Sequence, residues 1–189
     1  KILDEAIQEL KETDFKDLFK EELAQRGSYV RDVTIETDVE MLIPDEYVSN
    51  IQERLNLYTE LNNIRDEEGI AAYAKRLEDR FGKMPRQVGS LFDGLRLQWL
   101  CKKIGFERLI LKGGKLRCYF ISDPQSSFFE TAQFQLLLAF LQKHGRVMGL
   151  SLKQTNKELI LVQDELRGGL PAVKRLLEQL GEVLTSGAA

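Results

Sequence analysis

Apolar residues recur along this chain with two periods, and the change of period divides it. From residue 1 to about 26 the spacing is helical. Leu3, Ile7 and Leu10, with Ala6, predict an amphipathic helix over 1–12; Phe15, Leu18, Phe19 and Leu23 predict a second over about 14–26, ended by Gly27. The stretch VRDVTIETDVEMLIP then alternates, with Val33, Ile35, Thr37, Val39 and Met41 on one side. That predicts an extended strand closed by Pro44. Three helices follow. Residues 45–64 place Val48, Ile51, Leu55, Tyr58 and Leu61 on one stripe. Residues 66–81 open with Asp66, Glu67 and Glu68 and close with Lys75, Arg76 and Arg80, an order that complements the helix dipole. Gly82 and Pro85 separate this helix from the next. Residues 86–104 are apolar on more than one side, as expected of a buried central helix.

Beyond Gly105 the texture changes. ERLILK, Gly113-Gly114 and KLRCYFI predict a tight hairpin, followed by a helix over Ser127 to Lys143. RVMGLSLK, a polar turn at Gln154-Thr155-Asn156 and KELILVQ predict a second hairpin, and a last helix runs from about Gly169 to Thr185. The order strand-strand-helix thus occurs twice, with LILKGGK and LSLKQTNK about 41 residues apart. The fold class is α+β: a mainly antiparallel sheet of about five strands covered by helices. Residues 1–30 are expected to be a helical lead-in and 31–189 a single domain.

Composition adds bounds. With 189 residues, 43% apolar and 30% charged, the chain is long enough for a real core and too ordinary in composition to be disordered or fibrous. No run of 18 apolar residues occurs to span a bilayer, no signal pattern opens the chain, and Lys at position 1 is what an excised piece would show. Cys101 and Cys118 sit in apolar surroundings and are expected to be buried thiols of a reducing cytosol. The net charge of −3 hides an asymmetry: residues 1–69 carry 19 acidic and 8 basic side chains, residues 70–189 carry 11 and 19. From Lys75 to Arg117 there are 12 basic against 4 acidic groups. Such a split marks a nucleic-acid surface, a docking face or a set of solvated helix faces.

Catalytic constellations are missing. Gly114-Lys115 lacks the upstream glycine and the Ser/Thr of a phosphate loop, and it joins two strands where a phosphate cradle must open a helix. No dinucleotide fingerprint, nucleophile elbow or H-E-x-x-H occurs. His144, the one histidine, falls at a helix end before Gly145 with no ligand partner at metal spacing. Asp45-Glu46 and Asp66-Glu67-Glu68 fit helix starts. Tyr119-Phe120 and Phe128-Phe129 lie in apolar stretches that suit packing better than base stacking. No catalytic residue, metal or cofactor is expected.

One segment carries a specific pattern. From Ile35 to Leu109 a strand ends in Ile43-Pro44-Asp45-Glu46-Tyr47, and a helix holds Arg54-Leu55 with Tyr58 one turn on. Asp79-Arg80-Phe81-Gly82 then precedes Pro85, and a long helix leads into Ile104-Gly105. This segment resembles the C-terminal domain of the bacterial transcription-repair coupling factors (Mfd), and the leading KILDEAIQEL resembles the helix after their motor. The resemblance implies a cytoplasmic bacterial protein and a non-catalytic regulatory domain. It implies packing on the parent's own UvrA-binding module, masking it until a stalled polymerase is engaged. The parent would be an ATP-dependent DNA translocase of nucleotide excision repair that binds RNA polymerase, UvrA and duplex DNA. Pro44, Arg54, Tyr58, Asp79, Arg80, Phe81, Gly82 and Pro85 match the family pattern and read physically as fold determinants. The expected partner-binding set is basic: Arg86, Arg96, Lys102 and Lys103, with the acidic first half as a competing face. An accessory nucleic-acid-binding domain using 75–117 is the alternative. The isolated fragment is expected as a monomer or a crystal dimer.

Overall fold

A computed structural model describes residues 29–186; the expected helices over 1–12 and 14–26 lie outside the described residues. The described elements are β1 (Thr34–Thr37), α1 (Ile51–Asn62), α2 (Glu67–Phe81), α3 (Arg86–Ile104), β2 (Phe106–Lys112) and β3 (Lys115–Phe120). A 3-10 turn (Ser127–Glu130), α4 (Ala132–Met148), β4 (Ser151–Gln154), β5 (Leu159–Gln163) and α5 (Gly169–Ser186) complete them. The class is α+β, with a five-stranded sheet in the order β1-β2-β3-β5-β4. Both strand-strand-helix units are present. The sheet is mixed: β1 pairs parallel to β2, while the other three pairings are antiparallel. Three helices intervene between β1 and β2, which gives the chain the length it needs to re-enter in the same direction.

The strand predicted over VRDVTIETDVEMLIP is shorter in fact. Ladder pairing stops after Thr37, where the Asp38 carboxylate accepts from the Gly113 amide at 2.9 Å and draws the chain to the hairpin tip. Alternation outlasts pairing, because Val33, Ile35, Val39 and Met41 all pack on one core. The next helix also starts later than the pattern predicts. Residues 44–48 form a turn with Tyr47 and Val48 amides donating to the Pro44 carbonyl, and Asn50 caps α1 by accepting from the Glu53 amide. With that start, Leu57 and Leu61 face inward, while Ile51 and Leu55 are 68% and 55% exposed. The predicted stripe through Ile51 and Leu55 is therefore displaced around the helix. The reason is local: Arg54 donates to the Val48 carbonyl (2.7 Å) and the Tyr58 hydroxyl accepts from the Ile43 amide (2.7 Å), which fixes the rotation of α1.

Residues 146–148, predicted as strand, finish α4. Gly145 does not stop that helix; it is buried, with its missing side chain leaving room for the Leu150 carbonyl, and left-handed Gly149 is the cap. His144 consequently sits inside the last turns, exposed, with its ring 4.8 Å from that of Phe140. The β2–β3 turn has positive φ at both Gly113 (57°) and Gly114 (72°), the two-residue connection whose twist matches the strands.

Two cores result. The larger lies between one sheet face and α3, α4 and α5, with Leu109, Leu116, Cys118, Phe120, Leu137, Leu161 and Leu177 at its centre. The smaller gathers Leu57, Leu61, Ile70, Tyr73, Leu77, Val88 and Phe92 from α1, α2 and the first half of α3, with Ile43 and Val48. Helix α3 serves both: Val88, Phe92 and Leu95 in the smaller, Leu97, Cys101 and Ile104 in the larger. That double duty explains why its sequence is apolar on more than one side.

Candidate functional site

The family-pattern residues meet at the junction of the 44–48 turn, α1 and α2. Asp66 caps α2 by accepting from the Gly69 amide at 2.7 Å, and the acid-first, base-last order is present with Glu67, Glu68 and Arg80. Helix α2 ends at Gly82, whose φ of 86° suits glycine although its ψ of −164° takes it out of the left-handed helical region expected there. Tyr47 ties down that end: its hydroxyl donates to the Gly82 carbonyl at 2.7 Å, and its ring stands edge-on to Phe81. Burial, with the negative charge of Glu78, raises the Tyr47 pKa and keeps it a donor. Phe81 is half-buried, and its outer face carries the Arg80 guanidinium 4.8 Å from the ring centroid. Pro85 sits at the cap of α3, where its carbonyl accepts from Val88 and Gly89.

A pocket of about 340 Å³ opens between α1 and α2. Its floor is Leu57, Tyr73 and Leu77. Tyr73 is 1% exposed, donates its hydroxyl to the Leu57 carbonyl at 2.8 Å, and has its pKa raised first of all by burial. The rim is charged. Arg76 pairs with Glu60 (2.8 Å), and Arg80 pairs with Glu53 (2.7 Å) across the helices, where a local partner was expected. Asp79, also on the rim, is exposed, and its carboxylate makes no ion pair or hydrogen bond among the described residues. Of the eight family-pattern residues expected from sequence, seven have a turn, cap, packing or ion-pair role here. Asp79 is the one whose side chain serves no contact of the fold.

The basic set on α3 is not brought together. Arg86 is exposed at the first residue of the helix, and Lys102 is exposed in its last turn, about 24 Å along the axis. Lys103 lies against Gly181 of α5. Arg96 is occupied: it grips Glu67 through two bonds (2.7 and 2.9 Å) and Asp93 through a third (3.1 Å). The Glu67 hydrogen bond is the main reason the Arg96 pKa is raised, and the same bond lowers that of Glu67.

These contacts also account for much of the charge asymmetry. Glu36 pairs with Arg108 and Lys112, Glu53 with Arg80, Glu60 with Arg76 and Glu67 with Arg96, so acidic groups of the first half meet basic groups of 75–117 within the molecule. Helical periodicity and charge order reveal neither these partners nor the pocket, because each of these pairs spans separate elements.

A second, more apolar pocket of about 350 Å³ lies at the end of β3, walled by Ile121, Phe129, Phe134, Leu138 and Leu159, with Lys157 at its edge. Both cysteines are buried and free; burial pushes the Cys101 thiol up to about 12 and raises Cys118 as well. Among the described residues no cluster of His, Cys, Asp and Glu has metal-binding geometry, and no helix is long and apolar enough to cross a membrane.

Fold and site together define an α+β module whose distinguishing surface is a charged-rim helical groove. Residues 37–131 match the TRCF domain family model, and the chain belongs to that family. It is 33% identical over 76 residues to the transcription-repair-coupling factor of Rickettsia bellii, covering 40% of this chain and 7% of that protein. With the Escherichia coli factor it shares 30% over 91 residues, covering 46% and 8%. The chain thus spans less than a tenth of the length of these relatives. A crystal structure of the C-terminal domain of a transcription-repair coupling factor has the same fold, with a TM-score of 0.59 and 21% identity over 82% of this chain and 93% of that one.

Proposed function

We propose that this domain is a non-catalytic regulatory part of a transcription-repair coupling factor, packing on the parent's UvrA-binding module and masking it. The observation that carries the reading is Asp79, a family-pattern residue left without a structural partner on the rim of an apolar-floored groove. A carboxylate left exposed beside the Glu53–Arg80 and Glu60–Arg76 pairs gives a docking partner an unpaired anion to meet on the rim of the groove. Masking within one chain needs little intrinsic affinity, since tethering gives effective concentrations of about 1 mM. The domain's role is then a coupling free energy of about 1–3 kcal/mol between two sites of the parent.

Titration calorimetry of the 189-residue chain against the separately expressed UvrA-binding module tests this. A dissociation constant of about 1 mM or tighter, with UvrA displacing the domain, is the expected result. Asp79→Ala should weaken it roughly tenfold, about 1.4 kcal/mol, with an unchanged melting temperature. Saturable heat that UvrA does not displace sinks the masking role. The nucleic-acid alternative predicts duplex binding that falls steeply with salt; the internal pairing of Arg76, Arg80, Arg96, Arg108 and Arg117 weighs against it.

A further inference from the structure

Helices α1 and α2 present very different surfaces to solvent. Of nine exposed residues in α2, seven are charged; of seven in α1, only Glu60 is, and it turns toward Arg76. The rest of the exposed α1 surface is Ile51, Gln52, Leu55, Asn56, Thr59 and Asn62. At about 3.6 residues per turn these fall within an arc of about 140°. Ile51 and Leu55 are its apolar centre. Polar groups around them bond locally: Gln52 Nε2 donates to Asn56 Oδ1 at 3.2 Å, and Thr59 Oγ1 to the Leu55 carbonyl at 3.0 Å. Among the described residues four large apolar side chains are exposed, and three gather here. The third is Leu42, next to the Ile43 amide that bonds Tyr58 at the border of the arc. Singly exposed apolar residues are ordinary, but a cluster on a surface stripped of charge has the make-up of an interface core. The Arg54 and Tyr58 bonds that fix the rotation of α1 also hold Ile51 and Leu55 outward.

We propose that this face is where two copies of the chain meet, as an antiparallel two-fold pair of α1 helices with Ile51 of each against Leu55 of the other. Charge selects that occupant. A two-fold contact sets a patch against itself, so an uncharged patch meets no like-charge repulsion, while a partner recognised through ion pairs finds nothing on it to hold. Spacing agrees. Ile51 and Leu55 are one turn apart on one side of the helix, so reversing one copy about the point between them sets each against the other. Area sets the strength. A helix of 12 residues is about 18 Å long and about 10 Å wide, so the pair covers several hundred Å² where a stable complex needs about 1,200 Å² or more. The dimer is therefore weak, with a dissociation constant of about 0.1–1 mM. The face lies across α1 from the groove bordered by Asp79, so this assignment does not depend on the masking role.

Sedimentation velocity of the full chain from about 10 µM to about 1 mM is the test. The weight-average mass should rise toward that of two chains. Leu55→Lys and Ile51→Glu each place a charge where the apolar pair forms. Each should weaken association at least about tenfold with no change in melting temperature, because both side chains are exposed. Mixed in equal amounts, the two variants should associate again, since the new cation of one copy then faces the new anion of the other. Val147→Lys, at the fourth exposed apolar residue, should change nothing. A chain that stays monomeric throughout overturns the proposal and leaves the face to a different protein. Association that survives both α1 variants, or that disappears in Val147→Lys, overturns it by placing the contact elsewhere. A mixture of the two α1 variants that stays monomeric overturns the antiparallel pairing.

Discussion

In the helical module of α1, α2 and the first half of α3, tyrosine hydroxyls reach backbone carbonyls and amides through the packed surface, and arginines bridge the helices outside it. In the sheet layer the interior is mostly apolar, rich in leucines and phenylalanines with two thiols, and Phe120, Phe128 and Phe134 are in mutual ring contact. The first region is specified by named polar partners, Tyr47 to Gly82, Tyr58 to Ile43 and Tyr73 to Leu57. The second is specified by shape and alternation. Polar partners demand particular residues at particular positions, whereas an apolar layer accepts many fillings of the right volume. The TRCF match fits this difference: it takes in the helical module and the first hairpin and ends at Thr131, before α4.

The comparison breaks first if the two regions unfold apart. Leu77→Ala in the smaller core and Leu97→Ala in the larger should each cost about 2–5 kcal/mol. Because α3 runs through both, each should shift one common urea transition, measured by circular dichroism and Trp99 fluorescence. Two separated transitions in either variant would make the helical module an independent unit. Next in size is a shape effect confined to the sheet layer. Gly105 caps α3 with φ of 107°, and a Cβ there would run into the Phe128 ring. Gly105→Ala combines a disfavoured dihedral with overpacking and should lower stability by about 2–4 kcal/mol. The helical module offers the polar counterpart. Tyr73→Phe keeps the ring against Phe92 and removes only the bond to Leu57, for an expected loss of about 1 kcal/mol.

The same contrast decides how much was legible beforehand. Periodicity places α2 and α3 almost to the residue, because capping residues Asp66, Gly82, Pro85 and Gly105 mark their ends in the sequence. It places both hairpins, because Gly113-Gly114 and Gln154-Thr155-Asn156 interrupt alternating runs. It misjudges α1, whose rotation is set by Arg54 and Tyr58 bonding to residues before the helix, and it ends α4 too early at a glycine that is there for close packing. The direction of β1 is likewise a property of its distant partner β2. At the candidate site, sequence marks Asp79 and Arg80 as a pattern, yet the pocket needs Glu53 and Glu60 from another helix. Only a fold supplies that meeting.

The smallest expected effect probes the stitching between the regions' charges. Glu67 has its pKa lowered chiefly by the hydrogen bond to Arg96, so the folded state holds this carboxylate ionised at a lower pH than the unfolded chain does. A depressed folded pKa stabilises the protein fully above the unfolded value, about 4.3, and that contribution fades as pH falls through the lower folded value. Glu67 is 63% exposed while Arg96 is 23% exposed, so solvent screening holds the contribution to about 0.2–1 kcal/mol. Glu67→Gln should therefore melt slightly below the wild type at pH 7 and converge with it near pH 3, and 1 M salt should narrow the gap at pH 7. A gap that persists at pH 3 would mean that Glu67 acts through packing. Arg96 would then owe its fixed position to Asp93, within α3, and the bridge from α2 to α3 would rest on apolar contact alone.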